Sequence, residues 1–205
     1  MPRVDEQEFR DLLTLGHEQR DVEFKGPGRA DDRRFFATVV RAVLGMANLR
    51  DGGRVIIGVS EQANLEVKGL DEAELATWKF DYVSARLFEH ADPMVVFRVE
   101  QATSEDRRCV VVNVEEFADI PALCKRDFPR TLRRGACYVR GVRQIETVEV
   151  SSEQEMRELL DRAITKGVDK FVARARASGL LVPAIEMTRV TDSEQFDRPL
   201  DDVRQ

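Results

Sequence analysis

At 205 residues, 42% apolar and 34% charged, the chain is long enough for one substantial core and ordinary in make-up for a soluble globular protein. No apolar run reaches the length of a membrane span, since Arg41 and Arg50 interrupt the longest one, and the opening MPRVDEQEFRD lacks the apolar stretch of a signal peptide. The net charge of −6 excludes a surface that is basic throughout; Cys109, Cys124 and Cys137, well separated and outside metal-ligand spacing, read as reduced thiols of a cytoplasmic protein.

Asp5 to Leu15 reads as a short amphipathic helix with Phe9, Leu12 and Leu13 on one side, ended by Gly16. Asp21 to Lys25 alternates as a strand, Val22 and Phe24 facing the core and Asp21, Glu23 and Lys25 the opposite face. Gly26-Pro27-Gly28 breaks that strand and opens a charged loop, Arg29 to Arg34. The centre of the chain follows. A helix is predicted from Phe35 to Leu49, a tight turn at Asn48 to Gly53, and a buried strand from Arg54 to Val59. Gly58 inside that strand predicts a second backbone or a ligand close by.

After a polar turn at Gln62 to Asn64, Asp71 and Glu74 form a capping-box signature for a helix carrying Leu75, Trp78, Tyr82, Val83 and Leu87. At that spacing Trp78 and Tyr82 are expected in the core, with base stacking as the alternative. Val95 to Val99 and Cys109 to Val114 read as antiparallel strands joined by a loop, Gln101 to Arg108. Ala122 to Lys125 and Ala136 to Arg140 read as two more. Ser152 with Glu155 starts a helix to about Thr165; Gly167 punctuates it, and Asp169 to Ser178 continues as a basic amphipathic helix ending at Gly179. The tail from Val182 is polar and acidic without a period, either a disordered end or an arm that docks a protein partner.

Charge is unevenly spread. Lys125 to Arg143 holds seven basic residues against one acid, Asp127, a local balance of +6; Lys25 to Arg54 holds seven against three, a balance of +4. Either block is a solvated loop or part of a basic face that grips nucleic acid.

Three pieces, in this order and spacing, resemble one family: Glu18-x-x-x-x-Glu23-Phe24-Lys25; MANLRDGGRVIIGVSE with Val67-Lys68-Gly69-Leu70 downstream; and Tyr138-Val139-Arg140 before a capped helix. The chain is similar over about residues 5 to 165 to the Schlafen/AlbA-like domain, often labelled a DNA-binding domain. The resemblance implies an α/β (α+β) fold with a mixed sheet flanked by helices over residues 1–166, leaving 167–205 as a C-terminal helix and acidic tail. It also implies a nucleic-acid partner, RNA or DNA. In animal Schlafens two such domains in one chain clamp RNA, so this single-domain chain would match them as a homodimer.

Some Schlafens are endoribonucleases that cut transfer RNA with three carboxylates. By motif position these correspond here to Glu18, Glu23 and Glu61, which would serve as catalytic residues and as ligands of Mg²⁺ or Mn²⁺. The active members carry an Asp pair where this chain has Ser60-Glu61. Clustered carboxylates suit such chemistry because those ions take oxygen ligands and hold phosphate and water together. Strand alternation sets Glu18 on the face opposite Glu23 unless the turn at Gly16 to Arg20 swings it back, and Asp21 is a substitute ligand. The alternative is structural, with Glu18 and Glu23 pairing Lys25 or Arg54, or capping a turn. No phosphate-loop motif is present, so no nucleotide cofactor is expected.

The leading expectation is a nucleic-acid-binding module. Arg126, Arg130, Arg133, Arg134 and Arg140 would contact phosphates, with Lys25, Arg29, Arg33 and Arg34. A metal-dependent endoribonuclease and a non-enzymatic assembly or regulatory subunit are the alternatives.

Overall fold

The computed structural model describes residues 3–14, 16–61, 65–141 and 145–180. The polar turn at Gln62–Asn64, Arg143 and the tail from Val182 lie outside them. The chain divides into two compact units, Met1–Lys166 and Gly167–Gln205.

The elements run α1 (Glu6–Thr14), β1 (Val22–Lys25), α2 (Arg33–Ala47), β2 (Gly53–Ile57), β3 (Val59–Glu61), β4 (Leu65–Val67), α3 (Glu72–Leu75), α4 (Phe80–Phe88), β5 (Ala91–Asp92), β6 (Phe97–Ser104), β7 (Arg107–Val114), β8 (Leu123–Cys124), β9 (Tyr138–Arg140), β10 (Thr147–Glu149) and α5 (Glu153–Ala177). The fold is α+β with a mixed sheet in the order β1-β2-β7-β6. β1 lies parallel to β2, and β2–β7 and β7–β6 are antiparallel.

Period-two alternation sends the sheet's side chains into two cores. Val55, Ile57, Val99, Val110 and Val112 pack with the apolar face of α2. Val22, Phe24, Ile56, Val59 and Val111 pack with Phe9 of α1. Helix α2 starts at Asp32, whose side chain accepts from the N–H groups of Arg34 and Phe35. At its other end Asn48 does more than close a helix. Its side chain is buried, donates to the carbonyls of Ala122 and Tyr138 (2.8 Å each) and accepts from the Ala122 N–H at 2.7 Å. It thereby ties α2 to the segment before β8 and to β9.

Gly58 takes a φ of 106° between β2 and β3, and its carbonyl accepts from the N–H groups of Lys68 and Gly69 at 2.9 Å. The expected close backbone is therefore the chain's own. A Cβ there would lie 2.7 Å from Leu70 Cδ1, so this turn requires glycine.

Four local expectations are corrected. The single helix read from Asp71 is two, α3 and α4, because Trp78 turns fully inward and donates its indole N–H to the Gly28 carbonyl at 3.0 Å. Tyr82 is not core; it is 39% exposed. The β6–β7 connection is only the pair Glu105–Asp106, both left-handed (φ 49° and 61°), a geometry whose twist matches a two-residue hairpin. Gly167 does not break α5, which runs on to Ala177. A lone helical glycine costs about 1 kcal/mol, too little to stop a long helix.

Candidate functional site

The first two carboxylates singled out by their motif meet, and an arginine holds them. Register pairs Glu23 with Val55, which turns Glu23 toward the α2 side of the sheet at edge strand β1. The β9–β10 ladder lies over that edge and pairs Arg140 directly with Thr147. Arg140 Nη1 donates to Glu23 Oε2 at 2.7 Å, and Thr147 Oγ1 donates to the same oxygen at 2.7 Å. Lys25 forms an ion pair with the other oxygen, Oε1. Glu23 is 5% exposed.

Glu18 reaches the same arginine. The backbone folds on itself between Gln19 and Val22, and this turn overcomes the strand alternation that would set Glu18 on the far face. Glu18 Oε1 accepts from the Phe24 N–H at 3.0 Å, and Oε2 pairs with Arg140 Nη2 at 3.3 Å. Burial, then the neighbouring charge of Glu23, raises the Glu18 carboxyl above its usual range, against the pull of the Phe24 N–H, Arg140 and Lys25. Exposed Glu61 joins from outside, its Oε1 accepting from the Glu18 N–H at 3.1 Å. Asp21 is exposed, ahead of β1.

Arg140 spends its donors here. Nε donates to the Arg20 carbonyl (3.1 Å), and Nη2 donates to those of Gln19 (2.8 Å) and Val22 (3.3 Å). With its side chain fully buried and its fork saturated, Arg140 is not a phosphate contact, which corrects that expectation. Nor does the arrangement fit a divalent ion. Magnesium and manganese want several free oxygens around one point, whereas the point between Glu18 and Glu23 holds a guanidinium. Among the described residues no three His, Cys, Asp or Glu side chains are placed to hold a metal. No motif in the sequence points to Thr147; its register opposite Arg140 brings it to Glu23.

The remaining basic residues are mostly exposed. Arg29 pairs with Asp31 at 2.6 Å and Arg126 with Glu89 at 2.7 Å, while Arg133 pairs with Glu149. The side chains of Arg33, Arg34, Arg130 and Arg134 are exposed and make no hydrogen bond or ion pair among the described residues. Arg130 sits at the tip of the turn closed by Phe128 and Leu132, with a left-handed φ of 62°. The Arg134 N–H is fixed by Asp127 Oδ1 at 2.8 Å.

The two basic stretches come together at one place. Arg33, in the first turn of α2, and Arg126, after β8, line a groove of about 560 Å³ with Tyr82, Arg86, His90 and Phe128. Asp31, Glu89 and Asp127 also line it, so its cations partly serve to neutralise its own acids. Arg86 lies over the Phe36 ring (4.6 Å) and donates to the Tyr82 hydroxyl at 3.0 Å, bracing the wall. Arg33 and Arg34 lie in the first turn of α2, where the Asp32 carboxylate at the N-cap already offsets the positive end of the helix.

Among known proteins, the family model described as Schlafen, AlbA_2 matches residues 18–149. No curated protein matches the chain. Two of the solved structures to which parts of the chain are similar are as follows. One is the DIP2311 protein from Corynebacterium diphtheriae, with a TM-score of 0.49 at 13% identity over 74% of this chain. The chain spans only 27% of that protein's length. The other is the N-terminal domain of an ATP-dependent DNA helicase RecG-related protein from Nitrosomonas europaea, with a TM-score of 0.47 at 20% identity, covering 64% of this chain and 88% of that one. No described helix is long and apolar enough to cross a membrane.

Proposed function

Since the chain belongs to the Schlafen AlbA_2 family, we propose that it binds nucleic acid by its phosphate backbone, through the exposed arginines of the α2 N-terminus and of the loop between β8 and β9. The observation that carries this reading is the convergence of Arg33 and Arg126 on one groove, although they come from separate basic stretches. Arg34, Arg130 and Arg134, without acidic partners among the described residues, extend the set. Arg29, Arg126 and Arg133 would exchange a carboxylate for a phosphate, a small cost at the surface because exposed ion pairs are worth about 0–1 kcal/mol.

Fluorescence anisotropy of labelled RNA and DNA oligonucleotides across a salt series tests it. Counterion release makes the logarithm of affinity fall linearly with the logarithm of salt, so a steep negative slope is expected and a flat response sinks the reading. Arg33→Glu with Arg126→Glu should abolish binding at moderate salt.

A three-carboxylate endoribonuclease draws less support, because Glu18 and Glu23 are engaged by Arg140, Thr147 and Lys25. Metal-dependent cleavage that Glu23→Gln abolishes, in a variant that still folds, would establish it instead. Binding to no nucleic acid at low salt, together with a stoichiometric protein partner, would favour an assembly subunit.

A further inference from the structure

We propose that helix α5 pairs antiparallel with α5 of a second copy of this chain, through an apolar stripe that is exposed among the described residues. Met156, Leu160, Ile164, Val168 and Phe171 recur at steps of four, four, four and three residues, which aligns them along one side of the helix. Their exposure runs from 40% at Met156 to 69% at Phe171. A different flank serves the chain's own core, where Leu159 is buried with Phe117, Cys137 and Val139. A continuous row of large apolar side chains in water marks an interaction surface rather than the scattered exposure usual in a monomer.

Two further features specify the occupant. Gly167 falls on the same side, three residues after Ile164 and four before Phe171. A Cβ there would meet nothing within 4 Å, and a helix is more stable with alanine at such a site. Nothing in the described chain requires that glycine, whereas a partner helix approaching closely would. The ends of the stripe also carry opposite charge: Glu153, seven residues before Leu160, lies in the first turn, and Arg174, three after Phe171, in the last.

A parallel copy would set Glu153 against Glu153 and Arg174 against Arg174. A reversed copy sets each glutamate near the other chain's arginine, opposes the helix dipoles, and with Ile164 at the centre places Leu160 against Val168. The surface is thus complementary to itself under a two-fold axis.

Sedimentation velocity on the full chain, with far-UV circular dichroism as a folding control, decides the matter. The wild type is expected to be a dimer, and Ile164→Glu with Phe171→Glu a folded monomer. Glu153→Arg and Arg174→Glu should each raise the dimer dissociation constant about fivefold, as two rim ion pairs become repulsive, and their combination should restore it. A wild type that stays monomeric at about 100 µM overturns the proposal. So does a dimer that survives the two glutamates on the stripe, and charge reversals that do not rescue one another rule out the antiparallel register.

Discussion

Glu23 and Arg140 meet at 2.7 Å inside the protein, the arginine side chain fully buried and the glutamate side chain 7% exposed. They belong to the two motifs that lie farthest apart in the family pattern, and their pair fastens the β9–β10 ladder to the edge of the main sheet. The same guanidinium gathers the carbonyls of Gln19, Arg20 and Val22, so the turn carrying Glu18 is fastened with it.

Breaking that pair from the arginine side should be severe. Arg140→Ala leaves two carboxylates facing the interior and three carbonyls without their donor, and an uncompensated buried charge costs about 3–5 kcal/mol. Arg140→Lys should recover little, since one ammonium cannot replace a fork that serves two carboxylates and three carbonyls. Urea unfolding measures both: the midpoint should drop sharply in each, and an Arg140→Ala midpoint within error of wild type would falsify the structural role.

Gly45 tests the same cluster from beneath. An alanine there is favoured by helix propensity by about 1 kcal/mol. Its Cβ, however, would lie 2.7 Å from Thr147 Cγ2, and Thr147 cannot move without losing Glu23. Overpacking should win, and Gly45→Ala is expected to lose about 1–3 kcal/mol. Adding Thr147→Ser removes the colliding methyl but keeps the hydroxyl, so the double variant should regain part of the loss in a double-mutant cycle.

Opposite pH responses are expected from two carboxylates. Glu18 is raised above the ordinary 4.5, first by burial and then by the charge of Glu23, so the folded chain holds its proton where the unfolded chain has released it. Its contribution is fully present below the unfolded value and is lost as pH rises through the folded one. Glu116 is also opposed by burial, but the Asp51 N–H, Lys166 and Arg162 together outweigh that and lower it. Its stabilisation is present above the unfolded value and lost as pH falls through the folded one. Urea midpoints between about pH 3 and about pH 7 should show Glu18→Gln flattening the decline above 4.5 and Glu116→Gln flattening the acid-side loss.

What the sequence discloses follows from the range of the interactions involved. The α2–turn–β2 core, the capping box at Asp71 and the glycine at 58 rest on local periodicity and backbone sterics, and all are legible in the residues alone. Glu18, Glu23 and Arg140 stand out by motif, but which of them face solvent is set by register. A one-residue change of pairing would turn Arg140 and Thr147 away from Glu23. The split between α3 and α4 is likewise tertiary: Trp78 gains an indole hydrogen bond and full burial by leaving the helical path. Tyr82 keeps helical spacing yet faces the groove, because Arg86 and the α2 N-terminus lie on that side.

The role of Arg130 and Arg134 in binding can be separated from the cluster's role in folding. Arg130 and Arg134 have no acidic partner among the described residues, so removing them breaks nothing inside the protein. Arg130→Asn is preferable to alanine, because asparagine tolerates the left-handed backbone at the turn tip. Together with Arg134→Ala it should leave the urea midpoint nearly unchanged, as surface changes usually fall within about 0.5 kcal/mol. If both side chains touch phosphate, the slope of log affinity against log salt should become shallower by about 0.9 for each phosphate no longer neutralised on duplex DNA and about 0.7 on single strands. Arg98→Ala is the control: Arg98 is exposed on β6, paired with Glu115, and lies in neither basic stretch, so its slope should match wild type. An unchanged slope in the double variant would remove Arg130 and Arg134 from the interface and leave Arg33 and Arg126 as its remaining anchors.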